Sequence, residues 1–413
     1  MAARTSTVKS RMESSTSDKT FSRATSRNRT PLIYLALTDD WELRGDGSGD
    51  IAEIQFGAMQ KSLQIFQQHG ARTTFNAEVM QQLTFRRLQH KHPELGHWAD
   101  AWDEHVRDAF RRGHDIQLHI HPQWSRADYV DGKWRLTGDW SLPNYSQDSA
   151  YSMLVESRNY LDSLLRPLDP SYRCVSFRSG SSSIAPSEFA LSVLARIGIV
   201  FDMSIIGGYH VHTRNLQIDY THCDESFLPF YPCMDDARNV STKREPIICV
   251  PIFSFSLSRR WASRQTFAKL AARATRRLSV VEKSGEHKND YASQEWAEIS
   301  QSSPLARLYD KAVKPSLSGK HMTADISLFD YSGLKEMLAA IRKRARASGL
   351  AELPVILANH SKDVKDFSHI EQFVRDVSEA EDIQFATLSE IAHKLNSGEF
   401  AIRMAGDPIA ATI

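Results

Sequence analysis

The chain is poor in cysteine. Its 413 residues include only Cys174, Cys223, Cys233 and Cys249, and no two of them have the C-x-x-C spacing. That excludes a disulfide framework and a zinc knuckle as organising devices. Cys174 and Cys249 sit in apolar, strand-like runs and read as small buried hydrophobes. Long apolar runs are missing too, so no membrane-spanning helix is expected. Net charge is small: 51 Lys and Arg against 50 Asp and Glu leave +1. A nucleic-acid partner therefore gets no support from charge. No fixed-period repeat is visible, which argues against a solenoid.

The first 30 residues are rich in Ser, Thr, Arg and Lys but lack the apolar h-region of a secretory signal. A disordered, solvated tail over 1–30 is expected. A transit-type peptide is the alternative, against which Glu13 and Asp18 count. The expected address is the cytoplasm.

With 41% hydrophobic residues, the chain can bury a sizeable core. Leu32–Thr38 is a near-continuous apolar strand, the pattern of a strand covered on both faces. Residues 51–68 carry apolar positions at helical spacing, with Gly70 as C-cap, and 71–76 reads as a second strand. A β-α-β unit within about 45 residues signals a parallel sheet. Further helices are expected over 98–112, 146–165, 187–197, 331–347, 367–377 and 388–395. Further strands are expected over 114–121, 174–177, 199–204, 247–255, 321–327, 354–360 and 383–387. Residues 209–244 show little periodicity. Residues 264–283 form a basic amphipathic helix, either packed on the domain or lying against an anionic lipid surface. Residues 283–303 are polar.

Polar and titratable residues collect where strands end. Asp39 and Asp40 follow the first strand. Being neighbours, they point to opposite sides, and they either bind something or cap a helix. In the run Gly113–Pro122, strand alternation puts Gln117, His119 and His121 on one face. Two imidazoles at i and i+2 can reach one metal ion, although sixteen His in the chain also allow chance pairs. Arg178 leaves a strand into the small-residue loop Ser179–Ser183. It either anchors an acid or lies on the surface. Asp202 and His360 end two further strands. In parallel α/β folds the carboxyl ends of the strands carry the site. One Asp and two His would leave a zinc-like ion an open position for water, with a second Asp as base and a distant His as acid.

These motifs resemble the polysaccharide deacetylase (NodB-homology) family. Its Thr-Phe-Asp-Asp motif looks like Thr38-Asp39-Asp40, with the Phe missing. Its Ala-Thr-Phe strand resembles Thr73-Thr74-Phe75, and its Gly-His-Glu-Ile-Gly-x-His segment resembles Gly113–His119. The second metal His usually stands four residues on, where this chain has Gln123, and His121 is the natural substitute. Arg178 matches the start of the third motif, whose Pro-Tyr is replaced here by Ser-Gly. The resemblance implies an irregular (β/α) barrel of about seven parallel strands over 31–400, with an insertion at about 205–320 and a C-terminal tail at 401–413. It implies a divalent metal, zinc by default, on Asp40, His119 and His121. Asp39 would be the base beside Arg178, and His360 the acid oriented by Asp202. The implied activity is removal of an acetyl or similar acyl group from an amino sugar or glycan precursor by metal-activated water.

Other readings stand beside it. One is a glycosidase on a related barrel, which needs a second carboxylate across the sugar bond. Another is a catalytically inactive, deacetylase-like glycan-binding protein. A third is an amidohydrolase, whose His-x-His normally lies on the first strand. The expected partner is an acetylated sugar or glycan precursor, with peripheral membrane contact through 264–283 as the alternative to packing of that helix on the domain. Tyr209, Tyr220, Phe227, Phe230 and Tyr231 either stack on sugar or pack under the insertion.

Overall fold

Strand β1 (Leu32–Trp41) is buried along nearly its whole length, because both of its faces are covered. Ile33, Leu35 and Leu37 pack outward against helices α6 (Tyr331–Ser348) and α7 (Ser368–Ser378), through Met337, Ile341, Phe373 and Val377. Tyr34 and Ala36 point the other way. They pack with Phe201, Met203, Val250, Ile252 and Ile356 from strands and strand extensions around the sheet. The computed structural model describes residues 30–212, 216–223, 227–261, 263 and 320–407. The expected basic helix at 264–283 and most of the insertion lie outside them.

Seven more strands run parallel to β1: β2 (Thr74–Glu78), β3 (Asp115–Ile120), β4 (Ser176–Ser179), β5 (Phe201–Asp202), β6 (Ile248–Cys249), β7 (Glu352–Asn359) and β8 (Ile383–Phe385). The spatial order is β6-β5-β4-β3-β2-β1-β7, and β8 also pairs with β1. One edge of β1 is taken by β7 from Leu32↔Glu352 to Asp39↔Asn359. The other is divided, with β8 on Ile33–Leu35 and β2 on Thr38–Trp41. Just past β6, Ile252 bridges Ile356 of β7, and Phe253 N donates to Ile356 O at 2.9 Å. The sheet thus closes into the expected irregular barrel. The strand expected over 247–255 is split at Pro251, which has no N–H to donate. Ile248–Cys249 stays in the sheet, and Ser254–Leu257 leaves to pair antiparallel with Lys320–Thr323.

Five more helices cover the sheet: α1 (Ala58–Gln68), α3 (Pro93–Arg111), α4 (Gln147–Leu165), α5 (Ala190–Arg196) and α8 (Leu388–Asn396). Two of them open on side-chain caps: Ser146 caps α4, and a Thr387–Glu390 capping box opens α8. Helix α2 (Val79–Leu88) has a blurred apolar signature because it buries Gln81, Gln82 and Thr84 alongside Val79, Met80, Phe85 and Leu88. There Gln81 Oε1 accepts from Leu43 N at 3.0 Å, and Gln82 Nε2 donates to Ala99 O and Asp103 Oδ1, each at 2.8 Å.

Three of the insertion aromatics singled out from the sequence serve packing. Tyr220, Phe227 and Phe230 are buried, the Tyr220 hydroxyl donates to Ser182 O at 2.7 Å, and Arg344 lies over the Phe227 ring. Residues 401–407, expected as tail, return to the barrel, where Arg403 bridges Phe230. Among the described residues no helix is long and apolar enough to cross a membrane.

Candidate active site

The carboxyl ends of β1 to β4 bring their inward side chains together. Alternation puts Thr38, Asp40 and Glu42 on one face of the first strand and its continuation. Register then sets Asp40 beside Asn76, Glu78 beside His119, and His119 beside Arg178.

Glu42, Glu78, His119 and His121 form a buried group whose ligand atoms all lie within 4.8 Å of one another. Glu42 Oε2 is 2.7 Å from His121 Nε2 and 3.2 Å from His119 Nε2. His119 Nδ1 lies 2.8 Å from the Arg178 carbonyl, which can only accept, so Nδ1 carries a proton and Nε2 is the ring nitrogen that faces the group. The ammonium of Lys362 contacts Glu42 Oε1. Burial alone would raise Glu42, but His121 and Lys362 overcome it and hold the carboxyl well below the usual range. Burial would lower His119, but Asp40 and Glu42 carry it up to about 9. Glu78 Oε1 accepts from Gln81 N at 3.2 Å, whereas Oε2 is buried without a hydrogen-bond partner. That orphaned oxygen, facing a set of nitrogen and oxygen donors, fits a divalent ion. Gly180 packs so close to His121 that an added Cβ would meet its Cγ and Nδ1 at 2.8 Å.

A second chain of contacts runs beside this group. Asp40 Oδ1 accepts from Arg178 Nη1 at 2.6 Å and from Asn76 Nδ2 at 2.9 Å. Arg178 Nη2 donates to Thr38 Oγ1 at 2.8 Å. Burial would raise Asp40, but Arg178, then His119 and His360, pull it down to about 2. Asp40 Oδ2 lies 3.5 Å from His360 Nε2, and His360 Nδ1 lies 2.5 Å from Asp325 Oδ2. Burial works against the charged form of His360, but Asp325 outweighs it and raises the imidazole. His360 is also the open member of the chain, with 31% of its side chain exposed.

The structure brings His119, His121, Arg178, Asp40 and His360 to one place, but the pairings differ from those expected. Arg178 lies on Asp40, not on Asp39. Asp39 has the opposite parity: its Oδ1 accepts from Ser361 N at 2.9 Å, and burial lifts its pKa to about 6. Asp40 is outside the four-residue group because Arg178 and Asn76 hold it, and Glu42 stands there instead. Asp202 does not approach His360. Phe201 and Met203 face the barrel interior, so Asp202 between them points outward, where Ser204 N and Oγ bond it at 3.0 and 2.7 Å. Asp325 takes the place beside His360.

Sequence reading missed Glu42, Glu78, Asp325 and Lys362. The i, i+2 pairs Asp40-x-Glu42 and Asn76-x-Glu78 carried the signal for the first two. The remaining strand residues singled out are structural. His114 Nδ1 accepts from Thr73 N at 3.2 Å between Phe66 and Phe75. Gln117 Nε2 donates to Asp115 Oδ1 and Ser389 Oγ.

No protein-family model matches the chain, and no curated protein matches it. Several solved structures are similar. One, described as a polysaccharide deacetylase from Mycobacterium smegmatis, is 14% identical, with 92% of this chain and 96% of that one covered, at a TM-score of 0.45. Another, described as a polysaccharide deacetylase from Pseudomonas aeruginosa, is 12% identical, with 91% and 97% covered, at 0.44. A third, described as a glycoside hydrolase/deacetylase from Parabacteroides distasonis, is 12% identical, with 89% and 72% covered, at 0.49. At these identities the likeness assigns no residue a role.

Proposed function

We propose that the chain is a metal-dependent hydrolase that removes an acetyl or similar acyl group from an amino sugar or glycan precursor. One observation carries this reading: the buried Glu42–Glu78–His119–His121 group adjoins an Arg178–Asp40–His360–Asp325 chain at the carboxyl ends of the barrel strands. A divalent metal, zinc by default, on His119, His121 and Glu42 would polarise the acyl carbonyl and acidify a water.

The protein's own groups then move the protons. Asp39 and Asp40 compete for the role of base. With a pKa of about 6 against about 2, Asp39 has the better-matched proton affinity. Reach decides before proton affinity does. Asp39 faces Ser361 on the outer side, whereas Asp40 faces the group that would hold the metal, and Arg178 keeps it ionised and fixed. Asp40 is therefore the proposed base. His360 is the proposed acid. Asp325 stabilises its charged form, and its partial exposure lets Nε2 reach a leaving amine or alcohol. The 3.5 Å contact between Asp40 Oδ2 and His360 Nε2 gives the proton taken from water a short way back to the imidazole.

The test combines elemental analysis with an acetate-release assay. Wild type, His119→Ala and His121→Ala are purified and offered an N-acetylated amino sugar as monomer and as oligomer. Metal should be present in wild type and lost from both variants, and a chelator should stop acetate release. Equal metal content in all three, or release indifferent to chelation, would overturn the reading.

A further inference from the structure

We infer that Glu78 is a fourth protein donor to the ion, giving a two-histidine, two-glutamate site; this rests on the metal-dependent reading above. Glu78 is fully buried at the end of β2, in register with His119. A helix cap accounts for only half of its carboxylate. Oε1 accepts from Gln81 N at the start of α2, while Oε2 is buried with no hydrogen-bond partner. An acceptor oxygen removed from water and left unpartnered is costly, and a cation beside the imidazoles would satisfy it.

Charge points the same way. Lys362 contacts the Oε1 of Glu42 and offsets its charge, so Glu42 presents its Oε2 to His119 and His121. Asp40 is already paired with Arg178. Among the described acids around the group, Glu78 is the carboxylate with no lysine or arginine ion pair, His119 being its charged neighbour, and it would supply the negative charge that a divalent ion needs. The donor count has a chemical consequence. Three protein donors leave a tetrahedral ion one open position, and four leave none. Hydrolysis at this site then needs an ion that takes five or six nitrogen and oxygen donors, such as cobalt, manganese, iron or five-coordinate zinc.

The test uses the full chain with cobalt(II), whose visible absorption strengthens as its donor number falls. Glu78→Gln keeps the side-chain size and an oxygen to cap α2. It should bind cobalt roughly 10–100-fold more weakly than wild type, with a stronger visible band and an unchanged thermal midpoint. Glu78→Asp keeps the charge and the cap on a shorter arm and should fall between the two. Wild-type affinity and spectrum in Glu78→Gln would overturn the inference. If that variant does not fold, wild-type affinity in Glu78→Asp would do the same. Failure of the underlying hydrolase reading looks different: wild type would bind no cobalt, or His119→Ala would bind it equally well.

Discussion

Asp325→Asn separates charge from shape at His360. The two oxygens of Asp325 do different work. Oδ1 accepts from Ser327 N at 3.0 Å and from Ser327 Oγ at 2.6 Å, and Oδ2 meets His360 Nδ1 at 2.5 Å. An Asn that keeps its oxygen on Ser327 retains the turn and turns an NH2 toward His360. That NH2 can only donate, so Nδ1 must give up its proton, and the charged imidazole loses its stabilising partner. The pKa of His360 should fall from its raised value. Folding should change by about 1 kcal/mol, since one hydrogen bond is exchanged. Asp325→Ala, by contrast, loses all three bonds and should cost roughly 3 kcal/mol at about 1 kcal/mol each. Turnover should fall roughly 10²–10⁴-fold in Asp325→Asn, the range of general acid–base effects. Histidine-selective NMR titration reads the imidazole directly, and acetate release reads the catalysis. An unmoved His360 titration, or turnover within about threefold of wild type, would refute the role given to Asp325. A shift of His360 in Asp202→Asn would restore the expected partner.

Three further outcomes follow from contacts elsewhere in the barrel. Arg178→Met leaves the buried carboxylate of Asp40 without its cation and should cost roughly 3–5 kcal/mol in denaturant unfolding; adding Asp40→Asn should recover much of that, and a loss no larger than at a surface site would contradict the pairing. Gly180→Ala puts a methyl against the His121 ring and should cost about 1–3 kcal/mol and weaken metal binding; wild-type values for both would mean that the loop moves freely. The folded pKa of Asp202 is raised from 3.8 to about 6 by burial. Its stabilising contribution is therefore complete below the unfolded pKa and lost as pH rises through the folded one. Between pH 4 and 7, wild type should lose on the order of 3 kcal/mol relative to Asp202→Asn, and a pH-independent difference in urea unfolding would refute this.

Most of the fold was legible because its elements carry ordinary signals. The apolar run of β1 marks a strand buried on both faces. Helix α4 opens on Ser146, and α6 closes on Gly349 at φ +70°. The exceptions share a cause. Helix α2 buries Gln81, Gln82 and Thr84 among Val79, Met80, Phe85 and Leu88, and the burial of the three polar side chains is made possible by hydrogen bonds to residues far along the chain. No local pattern records such partners. Asp325 was hidden for a similar reason. It follows a strand that pairs outside the barrel and reaches His360 through the bridge of its own backbone to Ala358.

The site itself follows a parity rule. A regular strand can aim two side chains inward only when they are two residues apart. Three adjacent strand ends do this, with Asp40 and Glu42, Asn76 and Glu78, and His119 and His121. The rule put His119 and His121 on one face from sequence, because the two imidazoles are alike and easily noticed, and their rings lie 5.0 Å apart. It equally requires that Asp39 and Asp40 part company, and the partner of Asp40 on its own face is Glu42. The resemblance to an Asp-Asp motif drew attention to adjacency, whereas the barrel responds to alternation. Asp202 fails by the same rule, since its neighbours Phe201 and Met203 occupy the inward positions. In a closed parallel barrel, a titratable residue at a strand end belongs to the site when the residues two before it also face inward. Thr38 and Asn76, which meet Arg178 and Asp40, satisfy that condition for Asp40 and Glu78.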